Sequence, residues 1–155
     1  MIVCGIDPGF SGALAIVNDF GDCDTMDIPI LGTASDKLIN SAMIARFLGD
    51  FNVEFAVVEK AQAMPKQGVS SCFRYGVSYG QILAVLQCGL IPYQTVPPRK
   101  WKKDMRLSTD KSLSRLRATE LLPKAAKQFE LVKDHGRAEA ALLALWYMQS
   151  MERKA

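Results

Sequence analysis

A mixed α/β sheet with helices on both faces is the fold class the sequence predicts. Three observations predict it: short apolar runs near the N-terminus divided by turn residues, two later apolar runs each reached through a helical segment, and apolar-periodic helices towards the C-terminus. The 155 residues fit a single domain, 1–155, able to bury about two thirds of its unfolded surface without disulfides.

Residues 2–6 read as a short buried strand and residues 12–17 as a second, with Asp7-Pro8-Gly9-Phe10-Ser11 forming the turn of a hairpin. Asn18-Asp19-Phe20-Gly21 is a further turn, and residues 23–28 complete a three-stranded meander that Pro29 ends. Ser35 is placed to cap a helix whose apolar positions Leu38, Ile39, Ala42, Ile44, Ala45, Phe47 and Leu48 follow helical spacing. Residues 53–59 then form a central strand. After the loop 61–68 a helix covers 69–87 and ends near Gly89, and residues 91–96 give another strand. Pro97-Pro98 breaks that strand, a basic stretch follows, and a helix spans 111–122 before Pro123. A final helix over 135–151 closes the domain.

Hydrophobic residues at 49% and charged residues at 23% describe a soluble globular chain with no membrane-like run. The N-terminal segment lacks a secretory pattern, which points to the cytoplasm. Cysteines 4, 23, 72 and 88 form no C-x-x-C pair and share the chain with one histidine, so they read as small buried hydrophobes and not as a zinc site. Between residues 97 and 117 eight cations stand against two acids, a net +6 that leaves −3 for the remainder of a chain of net +3. One cationic surface on a slightly acidic body suits a phosphate backbone, although a solvated basic face has the same composition.

Three acids stand out. Asp7 follows directly on an apolar strand among Gly5, Gly9 and Gly12, although Asp-Pro-Gly is also an ordinary turn. Glu59 ends the apolar run 55–58, where open α/β sheets keep their active sites, with Lys60 as a possible neutralising neighbour. Glu139 lies among small and apolar residues of the last helix, four residues after His135, a spacing that also suits a local hydrogen bond. An ionised carboxylate in such surroundings needs a cation or several donors. Carboxylates converging from a strand-turn, a strand end and a helix suit hard cations about 3.5–4 Å apart, as phosphodiester hydrolysis requires.

The segments CGIDPGFSGALAIV at 4–17, VVEKAQAMPKQGVSS at 57–71, IPYQTVPPRKWKK at 91–103 and KDHGRAEAALLAL at 133–145 resemble the RuvC-type Holliday junction resolvases. The likeness is to the phage and bacterial branch that is also similar to the plant chloroplast resolvase, and it runs in order over nearly the whole chain. It implies a ribonuclease H-like fold with a five-stranded mixed sheet, a homodimer, and symmetrical nicking of four-way DNA junctions. It implies Mg²⁺, with Mn²⁺ as substitute, at two ions per active site, with no organic cofactor and no membrane partner. Asp7, Glu59 and Glu139 match the family's catalytic acids. Where RuvC proteins carry Asp or His three residues before the last acid, this chain has Gly136, so the fourth ligand falls to His135 or Asp134.

In such dimers the helix after Glu59 lies near the twofold axis and the loop before it enters the junction. Met64, Lys66, Gln67 and Phe73 are then candidates to contact the exchanging bases, and Tyr75 and Tyr79 are core or dimer residues. Phosphate contacts are expected from Lys66, Arg99, Lys100, Lys102, Lys103, Lys111 and Arg115. Two other readings compete: a junction-binding protein that has lost catalysis, and a phosphate-binding fragment of the actin and sugar-kinase kind, whose two lobes exceed this length.

Overall fold

The computed structural model describes all residues except 34–35, 63–65, 109 and 154–155, and the side chain of Lys111. Ser35, Met64 and the Lys111 side chain therefore lie outside the described residues. Strands β1 (Ile2–Asp7), β2 (Ala13–Asn18) and β3 (Cys23–Asp27) form the antiparallel meander. β4 (Ile30–Leu31) and β5 (Leu38–Ile39) make a separate small ladder before α1 (Ser41–Asp50). β6 (Phe55–Glu59), α2 (Val69–Cys88) and β7 (Tyr93–Val96) follow, then α3 (Pro98–Asp104), α4 (Lys111–Leu121), two 3₁₀ segments (Pro123–Phe129 and Val132–Asp134) and α5 (His135–Glu152).

The main sheet has five strands in the order β3-β2-β1-β6-β7, with β6 parallel to both β1 and β7. Because side chains alternate across a strand, β1 sends Cys4 and Ile6 to one face and Val3 to the other. The first face joins Ile44, Leu48, Ile82 and Leu86 of α1 and α2, and the second joins Trp101, Ala118 and the alanine-rich side of α5. Two cores thus sandwich the sheet. α5 lies directly on β1: a Cβ at Gly5 would stand 1.9 Å from the Ala140 carbonyl oxygen, so glycine there sets how closely helix and strand approach.

Three sequence expectations need correction. The helix expected from residue 35 starts at Ser41, capped by Asn40, whose Oδ1 accepts from the Met43 amide at 3.2 Å. Leu38 and Ile39 are strand residues instead, because Ile39 buries itself against Ile30. Pro97-Pro98 does end β7, but Pro98 also begins α3, since proline's fixed φ suits the first turn of a helix and its missing N–H is not needed there. Of the four cysteines only Cys4 and Cys23 are buried, their thiols pushed up by desolvation (Cys23 to about 12), whereas Cys72 is partly exposed and Cys88 exposed.

Candidate active site

Asp7 is the last residue of β1 and Glu59 the last of β6. The parallel register pairs Ile6 with Val58, so the next residue on each strand brings the two acids side by side at the C-terminal edge of the sheet. Ile6 and Val58 face the α1–α2 core, and alternation turns Asp7 and Glu59 towards α5. The close seating of α5 on Gly5 then brings Glu139 to the same edge. Asp7, Glu59 and Glu139 each offer a carboxylate oxygen, all within 4.8 Å of one another.

Two consecutive residues of α3 hold this cluster. The Trp101 indole Nε1 donates to Glu59 Oε2 at 2.9 Å, and Lys102 Nζ donates to Glu139 Oε2 at 2.9 Å. Ser114 Oγ of α4 donates to Glu139 Oε1 at 3.3 Å. Burial pushes the Glu59 carboxyl above its ordinary value, with Glu139 adding to the effect, against the opposing pull of Lys102 and the Trp101 hydrogen bond. Burial alone would lower the Lys102 ammonium, but Glu139, Glu59 and Asp7 carry it above its usual value, so it stays charged. Three carboxylates facing one ammonium leave a partly buried deficit of positive charge. Oxygen donors in that number suit a hard divalent cation.

A cleft of about 860 Å³ opens beside the cluster, its wall formed by Asp7, Ser11, Arg99, Lys103, His135 and Glu139 among others. Glu59 completes the cluster from the strand end and not from the cleft wall.

Of the other residues singled out in the sequence, His135, Arg99 and Lys103 line the cleft and the rest lie elsewhere or in other contacts. His135 stands on the cleft wall outside the group of three acids, its Nδ1 3.4 Å from the Val132 carbonyl oxygen. Asp134 is 2% exposed and turned inwards: Oδ2 accepts from the Leu131 amide at 2.9 Å, and Oδ1 stands 3.7 Å from Arg137 Nη1. A Cβ at Gly136 would meet the Ser11 carbonyl oxygen at 2.9 Å and Gly12 Cα at 3.3 Å, so the backbone of the β1–β2 turn leaves no room there for an acid or histidine. Arg99 and Lys103 face the cleft. Lys100 Nζ lies 5.9 Å from the Trp146 ring centroid, and Arg115 Nη1 donates to the Glu130 carbonyl oxygen at 2.8 Å. Lys66, exposed with φ 67°, precedes Gln67, whose Nε2 reaches Ser71 Oγ at 3.5 Å, and Phe73 is 72% exposed on α2. Tyr75 packs on the β1–β2 turn, 3.1 Å from where a Gly9 Cβ would stand, and Tyr79 packs on the α1–α2 core.

Trp101 and Ser114 escaped the sequence reading. A tryptophan inside a cationic run was the one available signal for the first, and none marked the second.

Compared with solved structures, the chain is similar to Thermus thermophilus RuvC in complex with Holliday junction substrate, with a TM-score of 0.71 at 19% identity, covering 99% of this chain and 96% of that one. The chain has the RuvC fold. A second Thermus thermophilus RuvC structure gives a TM-score of 0.66 at 17% identity, over 99% and 97% of the two chains. The chain is also similar, more loosely, to the yeast mitochondrial Holliday junction resolvase Ydc2, with a TM-score of 0.55 at 12% identity, over 97% of this chain and 82% of that one. No protein-family model matches the chain, and no curated protein matches it in sequence. Among the described residues no helix is long and apolar enough to cross a membrane.

Proposed function

We propose that this chain is a structure-selective DNA endonuclease that resolves four-way junctions by symmetrical paired nicks. The observation that carries the reading is the convergence of Asp7, Glu59 and Glu139 within 4.8 Å beside a cation-bearing cleft on the RuvC fold. Lys102 balances one of the three carboxylates, and the remaining negative charge, together with that of the substrate phosphate, is what Mg²⁺ or Mn²⁺, two ions per site, would neutralise. Such ions, when bound, activate a water and stabilise the leaving oxygen of a phosphodiester.

The chain's own groups supply the rest. Asp7, Glu59 and Glu139 are the ligands, and His135 is favoured over Asp134 as the fourth because it lines the cleft while Asp134 is engaged by Leu131 and Arg137. Arg99 and Lys103 bind backbone phosphates along the cleft, which supports affinity and makes it salt-dependent. Thermus thermophilus RuvC was solved with a Holliday junction substrate, and we assign the same substrate class here.

Symmetrical cutting needs two sites, hence a homodimer of the single domain. The exposed face of α2 supports it: Val69, Phe73 and Val77, spaced at four residues, are 87%, 72% and 36% exposed, and Gly76 and Gly80 have open space where a side chain would be.

The test is cleavage of a labelled mobile four-way junction with Mg²⁺ or Mn²⁺. Wild type makes paired nicks, while Asp7→Asn and Glu139→Gln bind the junction and nick it at least about a thousandfold more slowly, a rise of about 4 kcal/mol in the barrier. Unchanged nicking by both variants sinks the site assignment. Binding without nicking by wild type would favour the junction-binding alternative.

A further inference from the structure

We infer that Trp101 is a positioning residue for the acid cluster, holding Glu59 directly and Glu139 through Lys102; the inference rests on the nuclease reading above. Trp101 is 0% exposed, yet its indole N–H points out of the core to Glu59 Oε2 at 2.9 Å. An indole nitrogen is a donor only and carries no charge. It therefore accepts no proton from the carboxylate and does not compete with a cation for charge, but fixes the plane in which Glu59 presents its oxygens. Oε1 receives no hydrogen bond from any described side chain and is left for a ligand.

The same ring serves the second acid. Lys102 Nζ lies 5.4 Å from the Trp101 ring centroid while donating to Glu139 Oε2 at 2.9 Å. The ring's negative face steadies the ammonium over it. One side chain in the first two turns of α3 thus links the end of β6 with the second turn of α5, two elements that approach the cluster from different sides. Outer hydrogen bonds of this kind typically govern metal affinity by about 10–100-fold.

Trp146 provides an internal control. Its Nε1 also donates to a carboxylate, Asp104 Oδ2 at 2.8 Å, in the same core but outside the cluster. Mn²⁺ affinity is to be measured by calorimetric titration of wild type, Trp101→Phe and Trp146→Phe, with the thermal midpoint of each without metal. We expect Trp101→Phe to bind Mn²⁺ at least about tenfold more weakly, and Trp146→Phe to match wild type. In wild type, titration with Mg²⁺ should shift the Trp101 indole N–H resonance and leave that of Trp146 in place, a readout that needs no folded variant. Mn²⁺ affinity of Trp101→Phe within about twofold of wild type, or an indole resonance indifferent to Mg²⁺, overturns the positioning role and leaves the nuclease reading intact. Wild type that binds no Mn²⁺ and nicks no junction overturns both.

Discussion

Arg137 anchors the start of α5 by a fork: Nε and Nη2 donate to the two oxygens of Asp27 at 2.7 Å each, and Nη1 stands 3.7 Å from the buried Asp134. The hydrogen bonds from Arg137 hold the Asp27 carboxyl below its usual range. The unfolded chain then takes up a proton at higher pH than the folded one. The contribution to stability is complete above the ordinary carboxylate value of about 4 and is lost as pH falls through the lower folded value. Asp27 is well exposed, so solvent screens the effect and keeps it modest. Between about pH 7 and about pH 3 the thermal midpoint of wild type should fall further than that of Asp27→Asn; equal falls would contradict this linkage. Sequence reasoning could name Asp7, Glu59 and Glu139 because acids at strand ends and among alanines are conspicuous. It could not orient Asp134, whose neighbours Leu131 and Arg137 decide that it faces inwards, nor find Trp101, because a donor to a carboxylate has no characteristic spacing.

At the level of elements, the site depends on how closely α5 sits against β1. Gly5 and the alanines 138, 140, 141 and 144 remove the side chains that would separate them, and Glu139 gains its place by that proximity. Gly5→Ala sets a methyl 1.9 Å from the Ala140 carbonyl oxygen, so helix or strand must shift. We expect a loss of about 3 kcal/mol or more, or roughly 6–12 °C in thermal midpoint, with weakened junction nicking. Gly49→Ala, which meets open space, should change the midpoint little, and a similarly small effect at Gly5 would refute the close approach. Strands and long helices were legible because burial imposes their periods. The beginning of α1 and the whole of α3 were not: a polar cap at Asn40 outweighed helical spacing at Leu38 and Ile39, and a proline that stops one element starts the next.

Across the whole molecule, the meander and two crossovers place β1 at the centre of the sheet, so that its C-terminal end meets β6, α3 and α5 at one edge. The mixed sheet of a meander and two crossover strands was legible because consecutive antiparallel strands and helical crossovers leave few alternatives, whereas the strand order was not read in advance. The cationic segment follows β7 directly, and α3 brings part of it to the acids, so charge of both signs meets at the cleft. The most direct measurement is anomalous scattering from crystals of the wild-type protein soaked in Mn²⁺. Mn²⁺ peaks are expected bounded by the carboxylates of Asp7, Glu59 and Glu139 and absent from Asp7→Asn; Mn²⁺ bound elsewhere in a protein that still nicks four-way junctions would contradict the assignment of these three acids as ligands.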